Sequence, residues 1–249
     1  MYYIVSITTK ENTSMNTQEL ASLIDHSILH PATREEDLPG FCDVVNRYKF
    51  AAAYVLPANL PFVSTRIQNG VTKIGTGVGF PFGTPTTRTK LFECEEVIEL
   101  GADELDVVIN IGALKSGNYT LVRRELEELV SLASPLIIKS ILEVSYLTDD
   151  EIVEGSKICC DAGVAFVKTA TGFGSRPTTI HDLKLMIDAV GGRTGVKAAG
   201  GIKDIDTLLN MYRMGVTRFG ISSGDRIVDS FVQMYGGRLD LEEDTVHSM

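Results

Sequence analysis

The sequence predicts an α/β protein, a single-domain (β/α)8 TIM barrel with a short N-terminal extension. Three observations carry that expectation. Strand-type and helix-type segments alternate eight times within 249 residues, about the length such a barrel takes. The strand segments are near-continuous apolar runs, as expected when both faces of a parallel sheet are covered. No Gly-x-Gly-x-x-Gly turn follows an early strand, and a doubly wound open sheet would be expected to supply one.

Each element has its own justification. Residues 2–7, Tyr-Tyr-Ile-Val-Ser-Ile, have the pattern of a short strand. The polar stretch from Thr8 to Asn16 detaches it, so 1–19 reads as an extension. The first barrel strand spans 23–29. Leu38, Phe41, Val44, Val45 and Tyr48 recur at helical spacing and predict a helix over 38–48. A second strand, 51–56, closes at Pro57, and a helix over 59–68 stops at Asn69-Gly70. The third strand, 73–80, enters the loop Pro81-Phe82-Gly83-Thr84-Pro85, followed by a helix over 87–100. A fourth strand (104–110), a helix (119–132) and a fifth strand (136–144) come next. Thr148 and Glu151 form a capping-box pattern that opens a helix running to Ala162. The sixth strand is 165–170, with a helix over 180–190. The seventh is 195–199, with a helix over 205–214. The eighth is 218–222, with a final helix over 225–235. The barrel therefore occupies 20–236, and 237–249 reads as an acidic, poorly ordered tail. Gly101, Gly163 and Gly215 each stand between a helix and the next strand, as repeated helix C-caps.

Composition excludes several function classes. The formal charge of -10 argues against non-specific nucleic-acid binding, which needs a basic footprint. A local site on an acidic protein can still take an anionic small molecule. Cys42, Cys94, Cys159 and Cys160 make no Cys-x-x-Cys pair, so a reduced intracellular chain without structural zinc is expected. His26 and His30 lie four apart, but in a strand and turn without the wider ligand set that zinc needs, so no metal is expected. Met1 to Met15 lacks the pattern of a signal peptide, and no apolar run approaches membrane-span length. A cytoplasmic protein is the expectation.

Catalytic groups of a barrel sit at the carboxyl ends of its strands. There the sequence carries Asp25 and His26, Asp106, Lys139 and Glu143, Lys168, and Lys197 followed by Gly200-Gly201. Alternation puts Phe166, Lys168 and Ala170 on one face, and Gly195, Lys197 and Ala199 on one face of their strand. If both faces point inward, the two amines meet. Burial and a neighbouring ammonium both lower a lysine pKa, and a neutral amine forms Schiff bases with carbonyls. The plainer reading of a lone strand lysine is a packed stem with its head in solvent. Asp106 reads as a proton shuttle or water activator, or as the ion-pair partner of a buried lysine. Lys139 and Glu143 fit a supporting role and a direct site role equally. The loops Gly200-Gly201-Ile202-Lys203 and Gly220-Ile221-Ser222-Ser223-Gly224-Asp225 suit a phosphate, with Thr171-Gly172 at the rim.

The set Ile24-Asp25-His26-Ser27-Ile28-Leu29, Val78-Gly79-Phe80-Pro81-Phe82-Gly83, Gly101-Ala102-Asp103-Glu104-Leu105-Asp106, Phe166-Val167-Lys168-Thr169-Ala170-Thr171-Gly172 and Val196-Lys197-Ala198-Ala199-Gly200-Gly201 resembles the deoxyribose-phosphate aldolase family. The resemblance runs from about Leu20 to about Tyr235. It implies a class I, metal-independent aldolase without a cofactor, acting on a small phosphorylated sugar. The expected reaction is cleavage of 2-deoxy-D-ribose 5-phosphate to D-glyceraldehyde 3-phosphate and acetaldehyde. By resemblance Lys168 is the Schiff-base lysine, Lys197 perturbs it and Asp106 assists proton transfer. Gly172, Gly200, Gly201, Ser222 and Ser223 would bind phosphate, and Asp25, Tyr54, Phe80, Lys139 and Thr171 would line the pocket. A homo-oligomer, dimer or tetramer, is implied, with no nucleic-acid or membrane partner.

Some positions depart from the family pattern. Tyr54 stands where members often have Cys, Phe82 where some have His, and Ser27 where Thr is common. Arg176-Pro177 is unexpected; Arg176 would lie near phosphate or face solvent. The tail His247-Ser248-Met249 lacks a terminal Tyr relay. Three rival readings stay open: a Schiff-base aldolase for another sugar phosphate, a non-covalent sugar-phosphate isomerase, and a binding protein on the same fold.

Overall fold

The computed structural model describes residues 14–241. Eight parallel strands close a barrel in sequence order: β1 (Ile24–Ile28), β2 (Ala52–Val55), β3 (Lys73–Val78), β4 (Glu104–Val108), β5 (Ile137–Ile141), β6 (Phe166–Lys168), β7 (Gly195–Ala199) and β8 (Arg218–Ile221), which pairs back onto β1. Around it lie α1 (Leu38–Tyr48), α2 (Leu60–Ser64), α3 (Thr87–Glu99), α4 (Tyr119–Ala133), α5 (Asp149–Asp161), α6 (Ile180–Val190), α7 (Ile205–Arg213) and α8 (Gly224–Tyr235). The expected (β/α)8 architecture is therefore present.

The strand pleat divides the sheet into two chemically different faces. Outward residues such as Leu105, Val107, Val167, Val196, Ala198 and Phe219 join one apolar core with Leu126, Leu183, Leu208 and Phe231 of the helices. Local signals set the helix starts: Thr148 accepts from Glu151 N, and Thr179 accepts from Asp182 N, each within a capping box.

The structure differs from the sequence reading in several places. The helix expected over 59–68 shrinks to α2, behind a short turn at Pro57–Asn59, because Asn46 and Asn69 bind the backbone of 66–72 instead. An extra helix, Ile111–Lys115, follows β4, capped by Asn110 on Ala113 N at 3.0 Å. β5 ends at Ile141, earlier than expected, and Glu143 adopts left-handed backbone at φ 56°. The tail is not irregular throughout. Arg238–Asp240 pairs antiparallel with Ser14–Asn16, which buries Leu239 and Met15. Residues 2–7 and 242–249 lie outside the described residues. No helix among the described residues is long and apolar enough to cross a membrane.

Candidate active site

The inward face of the barrel is charged. β6 and β7 are in register with Lys168 opposite Lys197, so alternation brings both amines inward side by side. Each donates to the same oxygen, Asp106 Oδ2, at 2.7 Å. Lys197 Nζ also lies 2.6 Å from Asp25 Oδ2. Lys139, directly opposite Asp106 in the β4–β5 register, donates to Tyr54 Oη at 2.6 Å and to Glu104 Oε2, with Asp25 Oδ2 at 3.3 Å. Arg218 bridges Asp25 at 2.8 Å and Glu104 at 3.5 Å. The Tyr54 ring faces Lys197 Nζ at 4.1 Å and Lys139 Nζ at 4.8 Å. The second oxygen of Asp106, Oδ1, makes no hydrogen bond of ordinary geometry among the described residues, and Lys139 Nζ lies 3.8 Å from it.

These contacts polarise the titrations. Burial pushes the Lys168 amine down from 10.5 to about 8; Asp106 opposes that shift and Lys197 adds to it. Lys197 is also buried, but Asp106 and Asp25 together outweigh burial and hold it above its ordinary range. Burial by itself would raise the Asp106 carboxyl, but Lys168, Lys197 and Lys139 hold it well below the usual carboxylate range. Asp25 is held low in the same way, burial being overcome by Lys139, Lys197 and Arg218. Burial first, and then Asp106, Asp25 and Glu104, push the Tyr54 phenol well above 10. One of two adjacent lysines is thus eased toward the free amine and the other is kept as ammonium.

The carboxyl ends of β6, β7 and β8 form the rim. Gly200 and Gly201 both lie at positive φ, 88° and 93°. A Cβ on Gly201 would sit 2.6 Å from Pro177 Cβ, so only glycine allows this loop to come so close. Ser222 and Ser223 follow β8, and Ser223 occupies the N-cap of α8 without a side-chain cap bond. Gly172 is exposed on the loop after β6, at φ 89°. Phe80, after β3, meets Phe173, after β6, edge to face at 5.6 Å between ring centres.

Of the sequence candidates, Lys168, Lys197, Asp106, Asp25, Lys139 and Tyr54 converge inside the barrel. Thr171 does not join them. Its hydroxyl donates to Glu143, which also accepts Thr171 N at 3.0 Å, so Glu143 fastens the rim loop and stays apart from the amine cluster. Arg176 does not face solvent freely. Asp182 takes both ends of its guanidinium, at 2.7 and 2.9 Å, and Val144 O takes a further bond. His26 and His30 do not act together. His26 stacks between Phe41 and Phe50 and accepts from Gly224 N, and burial pushes it down to about 4; His30 accepts from Ala32 N. No group of three or more metal-ligating side chains occurs among the described residues. Sequence reasoning missed Glu104 and Arg218 as members of the interior network. The signal was available: Glu104 lies two residues before Asp106 on the same strand face.

Known proteins resemble this chain in both sequence and fold. The sequence profile described as DeoC/LacD family aldolase matches residues 20–228. A deoxyribose-phosphate aldolase of Bacteroides thetaiotaomicron is 40% identical over 226 residues, covering 90% of this chain and 95% of the relative. One from Thermococcus gammatolerans is 41% identical over 215 residues, 85% of this chain and 96% of that one. Among solved structures, a tetrameric deoxyribose phosphate aldolase from Aeropyrum pernix superposes with a TM-score of 0.79 at 30% identity, covering 86% of this chain and 92% of that one. With a profile that spans most of the barrel and relatives at this identity, the chain belongs to the DeoC/LacD family of aldolases.

Proposed function

We propose that this chain is a deoxyribose-phosphate aldolase that cleaves 2-deoxy-D-ribose 5-phosphate to D-glyceraldehyde 3-phosphate and acetaldehyde in deoxyribonucleoside catabolism. One observation carries the roles of the residues: two buried lysines in register share a single oxygen of Asp106. The free amine of Lys168 adds to the C1 aldehyde of the open-chain sugar, and loss of water gives an iminium ion. A base removes the C3 hydroxyl proton. The C2–C3 bond breaks, its electron pair flows into the iminium, and glyceraldehyde 3-phosphate leaves. Protonation of the enamine at C2 and hydrolysis then release acetaldehyde and restore Lys168. Asp106 suits the proton transfers, because one of its oxygens holds both amines and so places the carboxylate beside the carbon that Lys168 would bind. Lys197, kept as ammonium, stabilises negative charge that develops beside it. The Gly200-Gly201 loop, Ser222, Ser223 and the start of α8 suit the 5-phosphate, with Gly172 at the edge.

Two departures from the family pattern bear on substrate choice. The Tyr54 hydroxyl is engaged by Lys139 and its ring lies over Gly75, while Arg176 is engaged by Asp182. Both polar ends are engaged within the protein, so neither departure supplies a new contact that another sugar phosphate would need. The isomerase reading has no role for a buried amine eased toward its free form, which is what Lys168 presents beside Asp106. The tetrameric relative supports a homo-oligomer, and a cytoplasmic location suits the chemistry.

Borohydride trapping tests the reading. Incubation with deoxyribose 5-phosphate or acetaldehyde, reduction and peptide mapping should place the adduct on Lys168. Lys168→Ala should remove the adduct and lower kcat/KM by more than about 10³-fold. A folded protein that cleaves the sugar without an adduct, or with the adduct elsewhere, contradicts the assignment.

A further inference from the structure

The barrel interior holds more positive than negative groups. Its cations are Lys139, Lys168, Lys197 and Arg218, and its carboxylates are Asp25, Glu104 and Asp106: four against three at formal charge. The inventory covers every strand. β1 contributes Asp25, β4 Glu104 and Asp106, β5 Lys139, β6 Lys168, β7 Lys197 and β8 Arg218. β2 contributes the neutral phenol of Tyr54, and β3 presents Gly75 and Gly77. All of the carboxylates and lysines are buried, and the Arg218 side chain is 14% exposed.

A surplus charge in such a space is costly and is relieved by loss of one proton. Arg218 cannot supply it, because a guanidinium does not deprotonate in proteins. Lys197 touches two carboxylates, at 2.6 and 2.7 Å. Lys139 touches Glu104, Asp25 and the Tyr54 hydroxyl. Lys168 has one ion-pair partner among the described residues, Asp106 Oδ2, and shares that oxygen with Lys197. Lys168 is therefore the lysine whose proton is held by the least negative charge.

We propose that Glu104 and Arg218, on the floor of the barrel, are positioning residues that set the protonation of Lys168 by fixing the interior charge count. Each opens its strand at the amino end, away from the rim that would take substrate. They connect to Lys168 through contiguous ion pairs: Glu104 to Lys139 and Arg218, both of these to Asp25, Asp25 to Lys197, and Lys197 to the Asp106 oxygen that holds Lys168. The inference rests on the Schiff-base reading of Lys168.

The test is the pH dependence of reductive trapping of acetaldehyde on the Lys168 peptide. Glu104→Gln removes an anion, so the surplus rises to two and the proton leaves Lys168 at lower pH. Arg218→Met removes a cation, so the charges balance and Lys168 keeps its proton to higher pH. The acid limb should move by on the order of one pH unit, down in the first variant and up in the second. The double variant restores a surplus of one and should return the limb to its wild-type position; Glu104→Asp, which keeps the charge, should leave it there. A purely structural role would lower the amplitude without opposite shifts. Folded single variants whose limbs stay in place, or move in the same direction, overturn the proposal. If Glu104→Gln does not fold, Arg218→Met decides alone, and an unmoved limb there rejects the charge count. Absence of a Lys168 adduct in the wild type would reject the Schiff-base reading itself, whereas an adduct with unmoved limbs rejects only the charge count.

Discussion

Lys168 gains its reactivity from where its side chain ends. With an amine at about 8 in place of 10.5, roughly one tenth is free at pH 7, against roughly one part in three thousand for an ordinary lysine. Imine formation should therefore rise about tenfold per pH unit and level off near pH 8; a limb near 10.5 would show that burial is not felt by this amine. The same shift has a stability consequence. The folded state binds the Lys168 proton more weakly than the unfolded chain does, so the penalty is fully present below pH 8 and is released as pH rises toward 10.5. Lys168→Met should accordingly unfold at a higher temperature than the wild type at pH 7, by at most about 3 kcal/mol, while losing activity. The gain should shrink by pH 10. Thermal unfolding at the two pH values checks this, and a variant less stable than the wild type at pH 7 would contradict it. The lysines, their alternation and Asp106 as a candidate shuttle or partner were legible in the sequence. That both amines share one Asp106 oxygen was not, because an atom's partners depend on every neighbour in three dimensions.

At the level of single elements, the barrel interior is filled by pairing a large side chain on one strand with glycine on the next. Tyr54 of β2 lies over Gly75 of β3, where a Cβ would come within 2.4 Å of the ring. Phe166 of β6 lies over Gly195 of β7, where the distance would be 2.5 Å. Gly75→Ala should therefore destabilise the protein by about 1–3 kcal/mol through overpacking. In a Tyr54→Leu background the same change should cost much less, and equal costs in the two backgrounds, measured by urea unfolding, would count against this pairing. α1 and α3–α8 were legible because caps and periodicity are local. α2 was overextended, since the side chains of Asn46 and Asn69 claim the backbone beyond it. Arg218 escaped notice because it opens its strand, where nothing local separates an inward charge from a solvated one, whereas Glu104 carried a signal in its two-residue spacing from Asp106.

For the molecule as a whole, the pairing of Ser14–Asn16 with Arg238–Asp240 joins the two ends of the described chain. It covers Met15 and Leu239 at 3% and 6% exposure, so removal of residues 238–249 uncovers apolar surface worth about 2 kcal/mol. A fall in Tm of about 4–8 °C is expected by calorimetry, with Lys168 trapping retained; an unchanged Tm would show that the pairing contributes nothing. The sequence by itself determined the barrel, the order of its strands and the lysines that face inward. Those follow from patterns a few residues long: apolar runs, period-two alternation and helix caps. The tertiary structure alone decided which charges meet. Lys168 finds Asp106 across 62 positions of sequence, and Lys197 finds the same oxygen across 91. Arg176, near the rim in sequence, is taken by Asp182. Alternation is a property of one strand, but an ion pair depends on the register between strands and the closure of the barrel, and no local pattern encodes these.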